Sequence, residues 1–197
     1  MRVTGKTTVG ILFLMLLYCG HTWAEVSGAL LYRPGELKPR DSDLTLKVGD
    51  RAPDFTLPSL SGDKVSLNQF LGKNNVVLSF VPAAWTPVCS QQWPGYNLAK
   101  DFFLEANAVL LGISVDNIPT LSAWCGQMGN LWFPVLSDFW PHGAVAKSYG
   151  ILRSDGTSER ALFVIDKTGI IRYIDVHDIN KMPRLEDLVR ELSKLPK

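Results

Sequence analysis

The sequence predicts an α/β fold in which a central mixed sheet is flanked by helices, and three stretches carry that prediction. The first begins at Val76-Val77-Leu78-Ser79-Phe80, a short apolar run that reads as a buried strand. Helix-forming composition over 89–105 follows, with Leu98, Phe102, Phe103 and Ala106 recurring at helical spacing, and then a second apolar run at 108–115. Strand, helix and strand in this order make a right-handed unit with parallel strands. The second stretch is the pair of apolar runs at 161–165 and 170–176 around Asp166-Lys167-Thr168-Gly169, a hairpin signal that adds antiparallel strands. The third is an amphipathic helix opened by Pro183, with Leu185, Leu188, Val189 and Leu192 on one face.

Taken in order, the chain divides into a signal peptide at 1–24, a flexible linker at 25–42 and a folded domain at 43–197. Arg2 and Lys6 precede an apolar run at 9–18 that is too short and weakly flanked to span a membrane, and Thr22-Trp23-Ala24 offers a small-x-Ala cleavage site. The expected destination is export, to a bacterial periplasm. An uncleaved leader or a lipidated Cys19 would instead anchor the chain to a membrane, although the bulky Tyr18 suits lipidation poorly. Residues 25–42 contain Gly28, Pro34, Gly35 and Pro39 without a sustained period, and read as poorly ordered. Pro53 and Pro58 keep 48–57 extended. A turn at 59–64, a short edge strand at 65–67 and a helical turn at 67–71 lead to Gly72. Beyond the strand–helix–strand unit, Pro119 suits the first turn of a helix over 120–128 that Gly129 closes. A short strand at 134–136 and a short helix at 144–149 precede the hairpin. This order resembles a thioredoxin fold elaborated at its front and middle.

A chain of 197 residues can bury one sizeable core. A formal net charge of +1, with short and mixed charged runs, supplies no basic stripe for nucleic acid. Of three cysteines, Cys19 falls in the leader, leaving Cys89 and Cys125. In an oxidising compartment such a pair is often a structural disulfide. His142 and His177 stand far from any ligand set, and there is no Cys-x-x-Cys, phosphate-cradling glycine loop or nucleotide fingerprint. Neither a metal nor a cofactor is expected.

The chemistry concentrates at Cys89, where a strand gives way to a helix. Unpaired N–H groups and the positive end of the helix favour a thiolate, the nucleophilic form of cysteine. Open α/β sheets also place their sites at this edge. The neighbouring residues are less telling by themselves. Thr86 is a helix N-cap candidate, Pro82 marks a strand end, and Arg160 is a charged residue at a strand start. Cys125 is a helical thiol, and Trp85 and Trp93 are aromatics flanking the cysteine.

Pro82-x-x-x-Thr86-x-x-Cys89 resembles the active-site signature of the peroxiredoxins, thiol peroxidases that reduce hydroperoxides. The nearest likeness is to the bacterioferritin-comigratory-protein and one-cysteine alkyl hydroperoxide reductase E branches. Val48-Gly49-Asp50-Arg51-Ala52-Pro53-Asp54-Phe55, Gly112-Ile113-Ser114-Val115-Asp116, Phe133-Pro134-Val135-Leu136-Ser137-Asp138 and Arg160-Ala161-Leu162-Phe163-Val164-Ile165-Asp166 resemble family segments in family order. The resemblance spans 43–195. It implies a thioredoxin-like fold with a peroxiredoxin-type N-terminal extension, and reduction of hydrogen peroxide and organic hydroperoxides.

In that reading the Cys89 thiolate attacks the peroxide and becomes a sulfenic acid. Thr86 holds the peroxide, Pro82 shields the thiolate from water, and Arg160 supplies a permanent cation. Gln92 and Arg172 support them. Cys125 is a candidate resolving thiol in the helix where some relatives carry one; the position used by others, five residues beyond Cys89, is Pro94. The reductant implied is a thioredoxin-like protein or a low-molecular-weight thiol, and a homodimer is one assembly the resemblance allows. Two other functions fit the same fold. One is a thiol–disulfide oxidoreductase, which lacks its Cys-x-x-Cys here. The other is a non-catalytic interaction domain locked by a Cys89–Cys125 disulfide.

Overall fold

The computed structural model describes residues 26–196. The expected leader, with Cys19, lies outside the described residues. A hairpin of β1 (Thr56–Pro58) and β2 (Lys64–Ser66) precedes the main sheet, which comprises β3 (Asn75–Phe80), β4 (Ala108–Ser114), β5 (Val135–Ser137), β6 (Arg160–Ile165) and β7 (Ile171–His177). The helices are α1 (Cys89–Leu98), α2 (Lys100–Glu105), α3 (Ile118–Gln127), α4 (Ala144–Ser148) and α5 (Leu185–Leu192). Strands lie in the order β5-β4-β3-β6-β7. β4 runs parallel to β3 and β5, whereas β6 runs antiparallel to β3 and β7. The sheet is therefore mixed, and the arrangement is a thioredoxin-like α/β fold.

β3 is buried along its whole length because both faces of the sheet are covered. Side chains alternate between the two faces. Val77, Leu110, Leu162 and Val164 meet a layer containing Trp93, Phe103, Trp124 and Leu188, from α1, α2, α3 and α5. Val76, Leu78, Phe80, Leu111 and Phe163 meet the opposite layer, with Phe55, Leu57, Val145 and Tyr149. Gly112 belongs to the first face. A Cβ there would stand 2.9 Å from the Trp93 ring and 3.2 Å from Phe133, so the missing side chain is the space the indole fills.

Two expectations change. The helix expected over 89–105 is two helices, because Ala99 leaves helical geometry at φ −89° and ψ 14° and turns the chain between Leu98 and Lys100. α1 continues past Pro94, and the interruption falls at Ala99. The segment 26–42, expected to be a flexible linker, lies along the domain as a strap. Its Tyr32 N–H donates to the Trp85 carbonyl at 2.8 Å, its Leu37 N–H to Asn180 at 2.9 Å, and its Pro39 carbonyl accepts from Ile179 N–H at 3.1 Å. Val26 is buried among the α1 layer.

Other elements match within a residue or two. Asn117 caps α3 by accepting from Thr120 N–H, with Pro119 in the first turn. Ser66 and Gln69 form a reciprocal capping box around the helical turn at Leu67–Gln69.

Candidate active site

The antiparallel register of β3 and β6 pairs Phe80 with Ala161, so Arg160 stands beside the loop that leaves β3. Alternation along β6 then turns Arg160 to the face of Leu162 and Val164, where α1 packs. The loop reaches α1 through Trp85, which holds a left-handed φ of 60°, a conformation costing a non-glycine residue about 1–3 kcal/mol. A helical turn closes ahead of α1 by a 3.0 Å bond from Ser90 N–H to the Thr86 carbonyl. Thr86 and Cys89 thus share one turn, and Cys89 begins the helix, as the sequence predicted.

Cys89 is fully buried and Arg160 almost so. Arg160 Nη2 donates toward the Cys89 sulfur at 3.4 Å and to the Ile179 carbonyl at 3.1 Å. Nε donates to the same carbonyl at 3.3 Å, and Nη1 to Gln92 Oε1 at 2.6 Å. The Gln92 amide donates in turn to Ser79 Oγ and Tyr96 Oη, both at 3.3 Å, and Trp93 Nε1 reaches Ser79 Oγ at 3.1 Å. No carboxylate pairs with Arg160 among the described residues. A desolvated cation whose protein partners are neutral is arranged to receive a negative charge from something else, and the sulfur is the group beside it. Thr86 Oγ1 donates to the Ala83 carbonyl at 3.0 Å, which leaves its oxygen lone pairs free to accept.

Above these groups opens a cavity of about 660 Å³ lined by Pro82, Thr86, Val88 and Arg160 on its floor side, and by Tyr32, Arg33, Pro34, Gly35, Glu36 and Leu37 on the strap. Four of the residues expected to act together, Pro82, Thr86, Cys89 and Arg160, are thus brought to one place, with Gln92 behind them. Arg172 is not. It sits at the far end of the β6–β7 hairpin, half exposed, with Nε 2.6 Å from Asp166. The register that brings Arg160 to the cysteine carries the other end of the hairpin away, so Arg172 supports a turn and not the site.

Cys125 lies on α3 and is free, as is Cys89, so the disulfide-locked alternative does not describe this structure. Cys125 lines a different surface pocket, with Ser59, Ser122 and Trp132, and burial pushes its thiol up to about 12. No cluster of His, Cys, Asp or Glu suited to a metal ion occurs among the described residues.

Sequence reasoning missed the strap as a wall of the cavity. It also missed a second buried pair, Arg153 and Glu159, joined at 2.6 Å. Arg153 Nη2 donates to the Lys38 carbonyl at 3.0 Å and Glu159 accepts from Asp41 N–H at 2.5 Å, so this pair binds the strap to the root of β6. Adjacent charges at 159 and 160 were the only available signal.

Residues 48–174 match the AhpC/TSA family. Alkyl hydroperoxide reductase E of Mycobacterium tuberculosis (strain ATCC 25618 / H37Rv) is 40% identical over 132 residues, 66% of this chain and 86% of the relative. A chloroplastic 2-cysteine peroxiredoxin of Chattonella marina var. antiqua is 32% identical over 161 residues, 77% of this chain and 82% of the relative. Among solved structures, the reduced 2-Cys peroxiredoxin of Plasmodium vivax superposes with a TM-score of 0.69 at 32% identity, covering 74% of this chain and 80% of that one. With the family match spanning both the cysteine loop and the arginine strand, the chain belongs to the AhpC/TSA family and is a peroxiredoxin, a thiol-dependent peroxidase.

Proposed function

We propose that Cys89 is the peroxide-attacking thiol, that Arg160, Thr86 and Pro82 complete its site, and that an external thiol regenerates it. The observation that carries the reading is the 3.4 Å approach of the Arg160 guanidinium to the Cys89 sulfur in a site without a competing carboxylate. The thiolate attacks one peroxide oxygen, forming an S–O bond as the O–O bond breaks. The displaced oxygen takes a proton and leaves as water or an alcohol, and Cys89 is oxidised to sulfenic acid. Developing charge on the oxygens meets donors already in place, the guanidinium N–H groups, while Thr86 Oγ1, whose proton goes to the Ala83 carbonyl, is free to accept from the peroxide O–H, so little reorganisation is needed as the bond breaks. Pro82 contributes a wall with no N–H to compete for the sulfur.

Regeneration takes two thiols. The first condenses with the sulfenic acid, releasing water and leaving a mixed disulfide; the second reduces that disulfide and restores Cys89. A thiol from outside is favoured by the setting of Cys125, which lines another pocket and whose burial holds it in the un-nucleophilic protonated form. A thioredoxin-like protein or a small thiol fits this role. Export to an oxidising compartment is part of the same reading and rests on the leader at 1–24, a proposal that N-terminal sequencing of the mature protein tests.

Stopped-flow mixing of reduced protein with hydrogen peroxide tests the assignment. Cys89→Ser is expected to fall to the rate of a free thiol, and Cys125→Ser to keep the parent rate. After one equivalent of peroxide the intact mass should show a sulfenic acid on Cys89 with Cys125 free. A Cys89–Cys125 link would instead make the recycling intramolecular.

A further inference from the structure

The Arg160 guanidinium is held from behind by one backbone group, the carbonyl of Ile179, which accepts from both Nε and Nη2. Ile179 is buried, and it lies in the loop between β7 and α5, past the end of the family match at residue 174. What holds that loop is the strap, which lies ahead of the start of the match at residue 48. Ile179 N–H donates to the Pro39 carbonyl, while the next residue, Asn180, grips Leu37 on both sides. Asn180 Oδ1 accepts from Leu37 N–H at 2.9 Å and Nδ2 donates to the Leu37 carbonyl at 2.8 Å, across 143 residues of sequence. Paired bonds from one amide fix orientation as well as distance, and here they fix the loop against the strap. Asn180 lines the same cavity as Arg160 but hydrogen-bonds to Leu37 and Asp178, not to Arg160 or Cys89.

We propose that Asn180 is a positioning residue for peroxide reduction, latching the strap so that the line Pro39–Ile179–Arg160–Cys89 keeps the guanidinium in register with the sulfur. The inference rests on the site assigned above and adds to it a working part outside the region matched to the family. Residues 33–36 close the cavity between the anchors at Tyr32 and Leu37, so the strap is also a wall. The two roles separate by substrate size. Hydrogen peroxide is far smaller than a cavity of about 660 Å³ and needs no outer wall, whereas it does need the arginine. A latch that works through Arg160 therefore matters to hydrogen peroxide, and a latch that only shapes the cavity does not.

The test is a double-mutant cycle on the full chain, read as the single-turnover rate with hydrogen peroxide and accompanied by thermal unfolding of every variant. Asn180→Ala is expected to slow the reaction about tenfold, the scale of a small misplacement of a catalytic group. Leu37→Pro, which removes one half of the latch from the strap side, should slow it in the same direction. In an Arg160→Met background, with Arg160→Lys as a second, Asn180→Ala is expected to add little, because the group it positions is absent or unable to reach its partners. A folded Asn180→Ala protein that keeps the parent rate overturns the proposal. So does an equal tenfold loss in every background, which would mean general structural damage. A folded Arg160→Met protein reacting at the parent rate overturns the site assignment and the relay with it, whereas failure of the relay alone leaves that variant slow.

Discussion

Arg160 Nη2 and Cys89 Sγ meet at 3.4 Å although 71 residues separate them in the chain. Every other partner of that guanidinium is an uncharged oxygen, on Gln92 or Ile179. Burying a cation without a counter-ion is costly, so the arrangement lowers stability, a cost that the peroxide-attacking role proposed for Cys89 would account for.

Arg160→Lys is the first variant that follows. Lysine keeps the charge but presents a single ammonium where the guanidinium spreads four contacts over Cys89, Gln92 and Ile179. The single-turnover rate with hydrogen peroxide should fall roughly a hundredfold, the scale of losing one preorganised donor. An unchanged rate would mean that charge alone suffices.

Arg172→Ala should leave that rate within about twofold of the parent. The side chain is half exposed and pairs only with Asp166 at the hairpin turn, so its loss should cost at most about 1 kcal/mol in denaturant unfolding. A large kinetic effect would contradict its position at the far end of the hairpin.

Cys125 gives stability a pH dependence. Burial pushes its thiol from 9.0 up to about 12, so between those values the folded chain keeps a proton that the unfolded chain has lost. This contribution is complete below pH 9 and falls away as pH rises toward 12, with a slope of up to about 1.4 kcal/mol per pH unit. Buried Tyr96 and Tyr149, pushed up by desolvation too, add the same sign above pH 10. Denaturant melts at pH 8, 9 and 10 should therefore show Cys125→Ala losing less stability than the parent over that interval. Parallel curves would refute it.

Gly112→Ala should destabilise the domain by roughly 1–3 kcal/mol, because the added methyl would stand 2.9 Å from the Trp93 ring. Trp93 cannot retreat easily, being bonded to Ser79 and packed on Trp124 with ring centroids 5.0 Å apart. Tryptophan fluorescence should shift with the loss. The peroxide rate should fall as well, since Trp93 follows Cys89 by one helical turn.

Much of this was readable from the sequence because the signals were local. Asn117 and Pro119 announce α3, and Asp166 to Gly169 announce the hairpin whose turn Asp166 organises by accepting from Thr168 and Ile170. Cys89 and Thr86 are three residues apart and share a turn whatever the rest of the chain does. The strap failed to declare itself because its partners are remote in sequence: apart from Trp85, those named above, Asn180, Ile179, Glu159 and Arg153, lie more than 100 residues away. Its own composition is that of a loop. Arg172 misled for the complementary reason: position along a strand pair decides which arginine reaches the cysteine, and that depends on a register invisible in either strand alone. The break at Ala99 depends on one residue's dihedral angles, which an alanine does not advertise.

The pairing of β3 with β6 also orders events in time. A chain that has closed only the local parallel unit of β3, α1 and β4 already holds Cys89 at its helix start, yet it has no guanidinium beside it. Arg160 arrives only when β6 docks, after a long loop has been closed, which is the slow kind of contact to form. During refolding, then, the cysteine is expected to react as an ordinary thiol until that late step. Reactivity toward peroxide becomes a clock for the docking of β6, one that far-ultraviolet signals from helices already formed would miss.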